Sequence, residues 1–489
     1  MPASTDGSTH ARVAIIGSGF AGLGMAIRLK QEGIDDFVVF ERAGEVGGTW
    51  RENHYPGCCC DVPSHVYSYS FELNPKWERG FAPQAEILRY LKHCSEKYGV
   101  RQHIRFDHEV TEAAWDTESN RWSIKTANGN AFTSDILVNA GGALSEPKDP
   151  DIPGLDSFGG KTFHSARWEH DHDLEGETVA VIGTGASSIQ FVPAIQPDVK
   201  RLHLFQRTPP WVIPRFDHKI TKVEHALLRI PGTPALVRAV LYWMLETRVI
   251  GFRRPRIMKL ADRVARWHLK RQVSSEELRG KLLPDYVMGC KRILISDNYY
   301  PSLDKPNVEV VTDGIKEVRE GSIVTQDGTE REVDTIIFGT GFAVTKPPIA
   351  KRLRGKDGRT LAEHWETSMQ AYKGTTVPGF PNFVMMTGPN TGLGHNSMVF
   401  MIESQLNYVM DALRVLRERG AKTFEVKRSE VERYGDRLAE EMEGTVWTAG
   451  HCQSWYLDDT GRNTTLWPSF SWSFRQSTRK FDPEVYEVA

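Results

Sequence analysis

The chain has 489 residues, about three times a common single-domain length, so two or more domains are expected and a small scaffold held by staples is excluded. Charged residues make up 25% and hydrophobic residues 40%, with 61 Lys and Arg against 63 Asp and Glu; this is the profile of a soluble globular protein, and nothing in it asks for nucleic acid. The six cysteines, Cys58, Cys59, Cys60, Cys94, Cys290 and Cys452, are too sparse for a disulfide framework and include no C-x-x-C pair, so no metal is expected and a reducing cytoplasm fits best.

The N-terminal stretch Met1 to Ala11 is polar and has no basic region followed by an apolar one, so no secretory signal is expected. Arg12 to Ile16 then reads as a buried parallel strand, Gly17-Ser-Gly-Phe-Ala-Gly22 as a glycine turn opening a helix through Leu29, and Phe37 to Phe40 as a second strand ending at Glu41. Glu41 stands 19 residues beyond Gly22, which completes a βαβ unit of the dinucleotide-binding kind. Asp135 to Ala140 is a further strand closing on Gly141 and Gly142.

The same grammar returns 166 residues later. Thr178 to Ile182 is a strand, Gly183-Thr-Gly-Ala-Ser-Ser188 a glycine turn with Ser in the third position, and Arg201 to Phe205 a strand that ends in Gln206-Arg207-Thr208 without an acid. From about Phe216 to Gly289 the pattern is helical and highly charged, so a helical insertion is expected there. Within it, Pro234 to Phe252 is apolar but broken by Arg238, Glu246 and Arg248; an amphipathic or buried helix is expected, with no stable membrane insertion. Asp334 to Phe338 is a strand before Gly339-Thr-Gly-Phe342, and both it and the strand at Asp135 could lead into linkers between domains.

Glycine at the first two turn positions lets the backbone bend tightly and approach a pyrophosphate, whose charge sits at the helix N-terminus. In the first unit the free carboxylate of Glu41 accepts from ribose hydroxyls and would repel a 2′-phosphate, which suits the adenosine half of FAD. In the second, the Arg207 fork with Thr208 matches the 2′-phosphate of NADP, so NADPH is favoured over NADH. Ser188 is small enough to replace the packing glycine, at the expense of a looser helix contact.

Two longer stretches carry a resemblance. Phe158-x-Gly160-x-x-x-His164-x-x-x-Trp168 resembles the signature of the type I Baeyer–Villiger monooxygenases, apart from Glu169 where Pro or Asp is usual. Gly47-Gly48-x-Trp50-x-x-x-x-Tyr55-Pro56-Gly57-x-x-x-Asp61 resembles the longer signature of that family at every defined position. The resemblance implies an α/β chain with two Rossmann-like domains, for FAD and NADP, and a helical insertion in the NADP domain. The implied division is an FAD domain at 1–146 and 378–489, an NADP domain at 147–213 and 290–377, and the insertion at 214–289.

The implied activity is NADPH- and O2-dependent insertion of one oxygen atom next to a ketone carbonyl, giving an ester or lactone through a C4a-peroxyflavin; the alternative is a flavin-containing N- or S-oxygenase acting on amines or thioethers. By the same resemblance Gly17, Gly19, Gly22, Glu41, Arg42, Thr49, Trp50, Asp61, Tyr67 and Val110 are expected at the FAD site. Thr184, Gly185, Ala186, Ser187, Ser188, Gln190, Arg207, Thr208 and Lys291 are expected at the NADP site. Arg292 takes the role of the active-site arginine, a fixed positive charge that stabilises the reacting anion, with Asp61 orienting it. Trp455 resembles the tryptophan of a mobile loop closing over the nicotinamide cofactor, while His164 and Trp168 resemble hinge residues. The implied partners are a small ketone, or a sulfide, and O2. A disulfide reductase is excluded for want of a redox C-x-x-C.

Overall fold

The computed structural model describes residues 9–148, 150–450, 452 and 454–489; most of the polar N-terminal stretch lies outside them. Two sheets, the first mixed and the second parallel, organise the chain. In the first, β1 (His10–Ile16) pairs with β2 (Phe37–Phe40) on one side and β6 (Ala131–Asn139) on the other, and β3 (Ile104–Arg105) extends it beyond β2. β4 (Val110–Asp116), β5 (Arg121–Thr126) and β6 form an antiparallel meander. Val13, Ala14 and Ile15 are wholly buried, as a strand covered on both faces must be, and each buried valine or isoleucine contributes about 1.5–3 kcal/mol.

The second sheet is built from β7 (Lys161–His164), β8 (Thr178–Ile182) and β9 (Arg201–Phe205), with two strands from later in the chain. Between β9 and those strands, β10 (Val212–Ile213) pairs with β11 (Leu294–Ile295), closing the neck of a helical insertion. Then β12 (Val308–Val311) joins β9, a meander β13 (Ile315–Arg319), β14 (Ser322–Thr325) and β15 (Glu330–Glu332) follows, and β16 (Thr335–Phe338) returns between β8 and β7. The all-parallel order is β12-β9-β8-β16-β7. After it the chain goes back to the first sheet, where β17 (Leu353–Arg354) pairs with β4 and β18 (Phe383–Met385) with β6.

Three helices fix the sites. α1 (Phe20–Gln31) follows β1, α2 (Ser188–Ile195) follows β8, and the long α8 (Met398–Arg419), entered from Ser397 whose hydroxyl caps Val399 N, packs on α1. The insertion holds α3 (Lys222–Leu228), α4 (Thr233–Glu246), α5 (Val249–Arg253), α6 (Pro255–Gln272) and α7 (Glu276–Leu282). Helix does not begin at Phe216, as the periodicity suggests. Phe216 takes φ 54°, and the chain beyond it lies extended against residues 78–80, with Ile220 N donating to Glu78 O (2.9 Å) and Arg79 paired with Asp217 (2.8 Å). Tertiary pairing overrides helical pattern there.

Two crossings join the sheets, at residues 140–148 and 339–343, and they pair with each other. Lys148 N donates to Gly341 O (2.9 Å), Ala343 N to Glu146 O (3.1 Å) and the Thr340 hydroxyl to Lys148 O (2.6 Å). Among the described residues no helix is long and apolar enough to cross a membrane.

Candidate active site

The first glycine turn is held by contacts that admit no side chain. Gly17 has φ 93°, and a Cβ on it would lie 2.8 Å from Ala140 O; one on Gly22 would lie 1.9 Å from Gly17 O. A Cβ on Gly19 would meet nothing nearer than Gly48 at 3.5 Å, so this position is the open one, where a phosphate can approach. Glu41 is buried, and its Oε2 accepts from Ser18 N (3.0 Å) and the Ser18 hydroxyl (2.5 Å), with Arg51 at 3.0 Å from Oε1. Its carboxylate is thus fixed before any ligand arrives. These residues fit the adenosine and pyrophosphate of a dinucleotide.

Around the turn, Thr49 opens a short helical turn and Trp50 Nε1 donates to the Tyr67 hydroxyl (3.1 Å), with the two rings edge to face. Burial raises Tyr67 well above an ordinary phenol, so it stays protonated. Arg42 is drawn into pairs with Glu146 and with Glu52 (3.3 Å), and Val110 is buried at the start of β4, its carbonyl accepting from Arg352 (2.9 Å). The Arg42 side chain is engaged by these acids, and that of Val110 packs in the core of the first sheet.

In the second turn a Cβ on Gly183 would lie 2.5 Å from Gly339 O. Ser188 is buried against Gly339, where an added Cβ would lie 2.0 Å from the serine Oγ. The glycine that the motif lacks is therefore supplied by the partner strand end, and the helix contact is close where sequence reasoning expects it looser. The segment Thr184 to Ser187 opens toward solvent at the N-terminus of α2, and the Thr184 hydroxyl donates to Thr208 O (3.2 Å). Beside it a cavity of about 490 Å³ is lined by Arg207, Thr208, Lys281, Asp285 and Thr312. Lys291, its ammonium over the Tyr286 ring, is lowered in pKa by burial and then by the charge of Arg207. Two cations held this close fit a phosphate.

Gln190 sits apart from that cavity. Its amide accepts from the Tyr55 hydroxyl (3.0 Å) and Cys59 N (3.2 Å) and donates to Cys59 O (3.1 Å), stitching the second domain to the Tyr55–Asp61 stretch of the first. The three adjacent thiols are pushed up by burial, Cys58 to about 12, so none is a thiolate near neutrality.

Just before β11, Arg292 donates from Nε to Asp61 Oδ2 (3.1 Å) and from Nη2 to the same oxygen. The charge of Asp61 is the largest cause holding the guanidinium above its usual pKa. Tyr456 is buried nearby, pushed by burial to about 12, and its ring lies 4.4 Å from that of Trp455, which is 43% exposed. Cys290, two residues before Arg292, is disulfide-bonded to Cys452, three before Trp455. Sequence reasoning missed this bridge, because 162 residues separate its ends and a single pair leaves no spacing pattern.

The signature residues are structural. Trp168 is buried on Phe163 (5.1 Å between rings) and Phe191 (5.3 Å), and His164 ends β7 with its Nδ1 accepting from Ala166 N (3.0 Å). Glu169 pairs with Lys161. A Cβ on Gly160 would lie 2.2 Å from Asp334 O.

A family model described as flavin-binding monooxygenase-like matches residues 10–354, most of the chain. The chain belongs to this family. The monooxygenase is 55% identical to a Baeyer–Villiger monooxygenase of Streptomyces coelicolor, over 98% of this chain and 93% of that one, and 52% identical to one of Pseudomonas aeruginosa, over 98% and 92%. Among solved structures it is similar to a steroid monooxygenase bound to NADP (TM-score 0.86, 30% identity, covering 98% of this chain and 99% of that one). It is also similar to a cyclohexanone monooxygenase from a Rhodococcus species bound to NADP+ (TM-score 0.88, 27% identity, 98% and 99%).

A joint that sequence reasoning also missed ties the insertion of the monooxygenase to the glycine-rich loop before α8. Glu246 at the end of α4 is buried, accepts from Asn396 Nδ2 (2.7 Å) and the Ser471 hydroxyl (2.8 Å), and lies 3.5 Å from His395. Burial opposes its ionisation, yet these donors hold the carboxyl below its usual range. Only the helical spacing around Glu246 is visible in the sequence; its partners come from 150 and 225 residues away.

Proposed function

We propose that this chain is an NADPH- and O2-dependent flavin monooxygenase that inserts one oxygen atom beside a ketone carbonyl to give an ester or lactone. The observation that carries this reading is the Arg292 guanidinium, held by Asp61 231 residues away, with Lys291 as its chain neighbour. Bound FAD, reduced by NADPH, supplies the activation of dioxygen.

The chain's own residues do the rest. Gly17, Gly19, Gly22 and Glu41 hold the FAD pyrophosphate and ribose, and Tyr67, positioned by the Trp50 N–H, presents a neutral donor. Arg207, Thr208 and Lys291 hold the NADP 2′-phosphate, with Thr184 to Ser188 at its pyrophosphate. Arg292 holds a fixed charge where negative charge grows in oxygen transfer, and because Asp61 has already oriented it, no reorganisation is required at that moment. Tyr456 keeps its proton and with Trp455 covers the Arg292 side, excluding water. Asp61 and Tyr456 are positioning residues.

The test supplies the holoenzyme with NADPH, labelled dioxygen and a cyclic ketone, with a thioether in a parallel reaction. One labelled oxygen per lactone, formed in step with NADPH, is the expected result. NADPH oxidation that yields hydrogen peroxide whatever the substrate overturns the proposal. Sulfoxide without lactone assigns the chain to S-oxygenation instead.

A further inference from the structure

Large apolar side chains are exposed in one part of the chain out of proportion. Of the 17 so exposed among the described residues, 12 lie between Val223 and Trp267. They form stripes, not isolated surface residues. On α4 the exposed residues Leu236, Val240, Trp243 and Met244 follow helical spacing along one side, and on α6 Ile257, Leu260, Val264 and Trp267 do the same. α3, packed against α4, exposes Val223 and Leu227, with Ile230 just beyond its end. Trp243 is 56% exposed and Trp267 50%. These helices already bury other residues inward, Leu245 and Glu246 on α4 and Met258, Ala265 and Leu269 on α6, so the outer stripes are a second apolar face with no partner among the described residues.

The charge around these stripes is one-sided. Residues 222–272 carry twelve Lys and Arg against three acids, Glu224, Glu246 and Asp262, in a chain whose net charge is −2. Glu246 is turned inward to Asn396 and Ser471, which removes one of the three from the surface. On α6 the exposed cations Arg256, Lys259, Arg263 and Lys270 run one residue out of phase with the apolar stripe and so flank it. Apolar residues with tryptophan, bordered by basic residues along the same helix, are what an interfacial helix presents to a bilayer: the apolar stripe enters the acyl boundary while the cations meet lipid phosphates. A second copy of this chain is disfavoured as the occupant, because a two-fold contact would set the same excess of positive charge against itself.

We propose that the outer face of α3, α4 and α6 docks on an anionic membrane surface, holding the protein peripherally with no segment across the bilayer. This face is independent of the oxygen-transfer reading, since none of its residues belongs to the cofactor turns or to the Arg292–Asp61 pair.

The test is co-sedimentation of the FAD-loaded full chain with vesicles of phosphatidylcholine alone and with vesicles holding about a third phosphatidylserine. Pelleting with the anionic vesicles only, weakened as salt is raised, is expected. Trp243→Ser with Trp267→Ser, and separately Arg256→Glu with Lys259→Glu and Arg263→Glu, should each weaken binding about tenfold or more while leaving bound FAD and turnover of a water-soluble ketone unchanged. Pelleting with neither vesicle, equal pelleting with both, or binding that these variants leave intact overturns the proposal. So does a dimer that Trp243→Ser with Trp267→Ser dissociates, which would identify a second copy as the occupant.

Discussion

Arg292 gives two of its N–H groups to a single oxygen of Asp61, although the two residues lie 231 positions apart and on opposite sides of the domain boundary. A guanidinium held in this way keeps its direction without substrate. Arg292→Ala should therefore still fold, bind FAD and be reduced by NADPH, while product formation falls about a hundredfold to a thousandfold. Asp61→Ala should lose part of the same factor, and combining the two should add little to Arg292→Ala alone. Single-turnover flavin reduction and product yield, measured on each variant, check this.

Burial and then the charge of Arg207 lower Lys291, which sets two cations beside one another where a phosphate would neutralise both. Replacing Arg207 by Ala should raise the KM for NADPH about tenfold to a hundredfold, the range of a lost charge-assisted hydrogen bond, and leave that for NADH nearly unchanged. Steady-state kinetics with both nucleotides decide it, and an equal effect on the two removes Arg207 from phosphate recognition.

Glu246 makes a prediction about pH. Its carboxyl titrates below the usual range in the folded protein, so the stability it contributes is present above the unfolded value of about 4.3 and is lost as pH falls through the lower folded value. Glu246→Gln should cost about 3 kcal/mol near neutrality, as expected for breaking a buried ionic joint. The gap between variant and parent should close on acidification. Denaturant unfolding at several pH values measures both.

The Cys290–Cys452 bridge limits how far the segment bearing Trp455 can move from the one bearing Arg292. Cys452→Ser should leave flavin reduction intact and increase the fraction of NADPH that ends as hydrogen peroxide. Thiol treatment of the parent should do the same, and peroxide yield per NADPH is the measurement. An unchanged yield in both means the bridge does not restrain the cover.

The two βαβ units were legible because their signals are local: glycine spacing, flanking apolar runs and the acid or base at the next strand end all fall within about 30 residues. What escaped is what depends on distant chain. Ser188 looks like a weakened motif until Gly339 is found beneath it, and Gln190 looks like a nucleotide contact until Tyr55 and Cys59 occupy its amide. Phe216 to Ile220 carries a helical pattern yet is claimed by residues 78–80. Glu246 reads as an interruption in an apolar helix, whereas burial with three donors makes it an anchor.

The paired crossings at 140–148 and 339–343 act mechanically as a strap. One strand alone would let the two lobes drift and twist alike, but two strands bonded side by side resist stretching and shear while still yielding to torsion about their common axis. Separation would have to break Lys148 N to Gly341 O and Ala343 N to Glu146 O, whereas rotation need break neither. The strap therefore opposes separation of the two sheets more than rotation of one against the other.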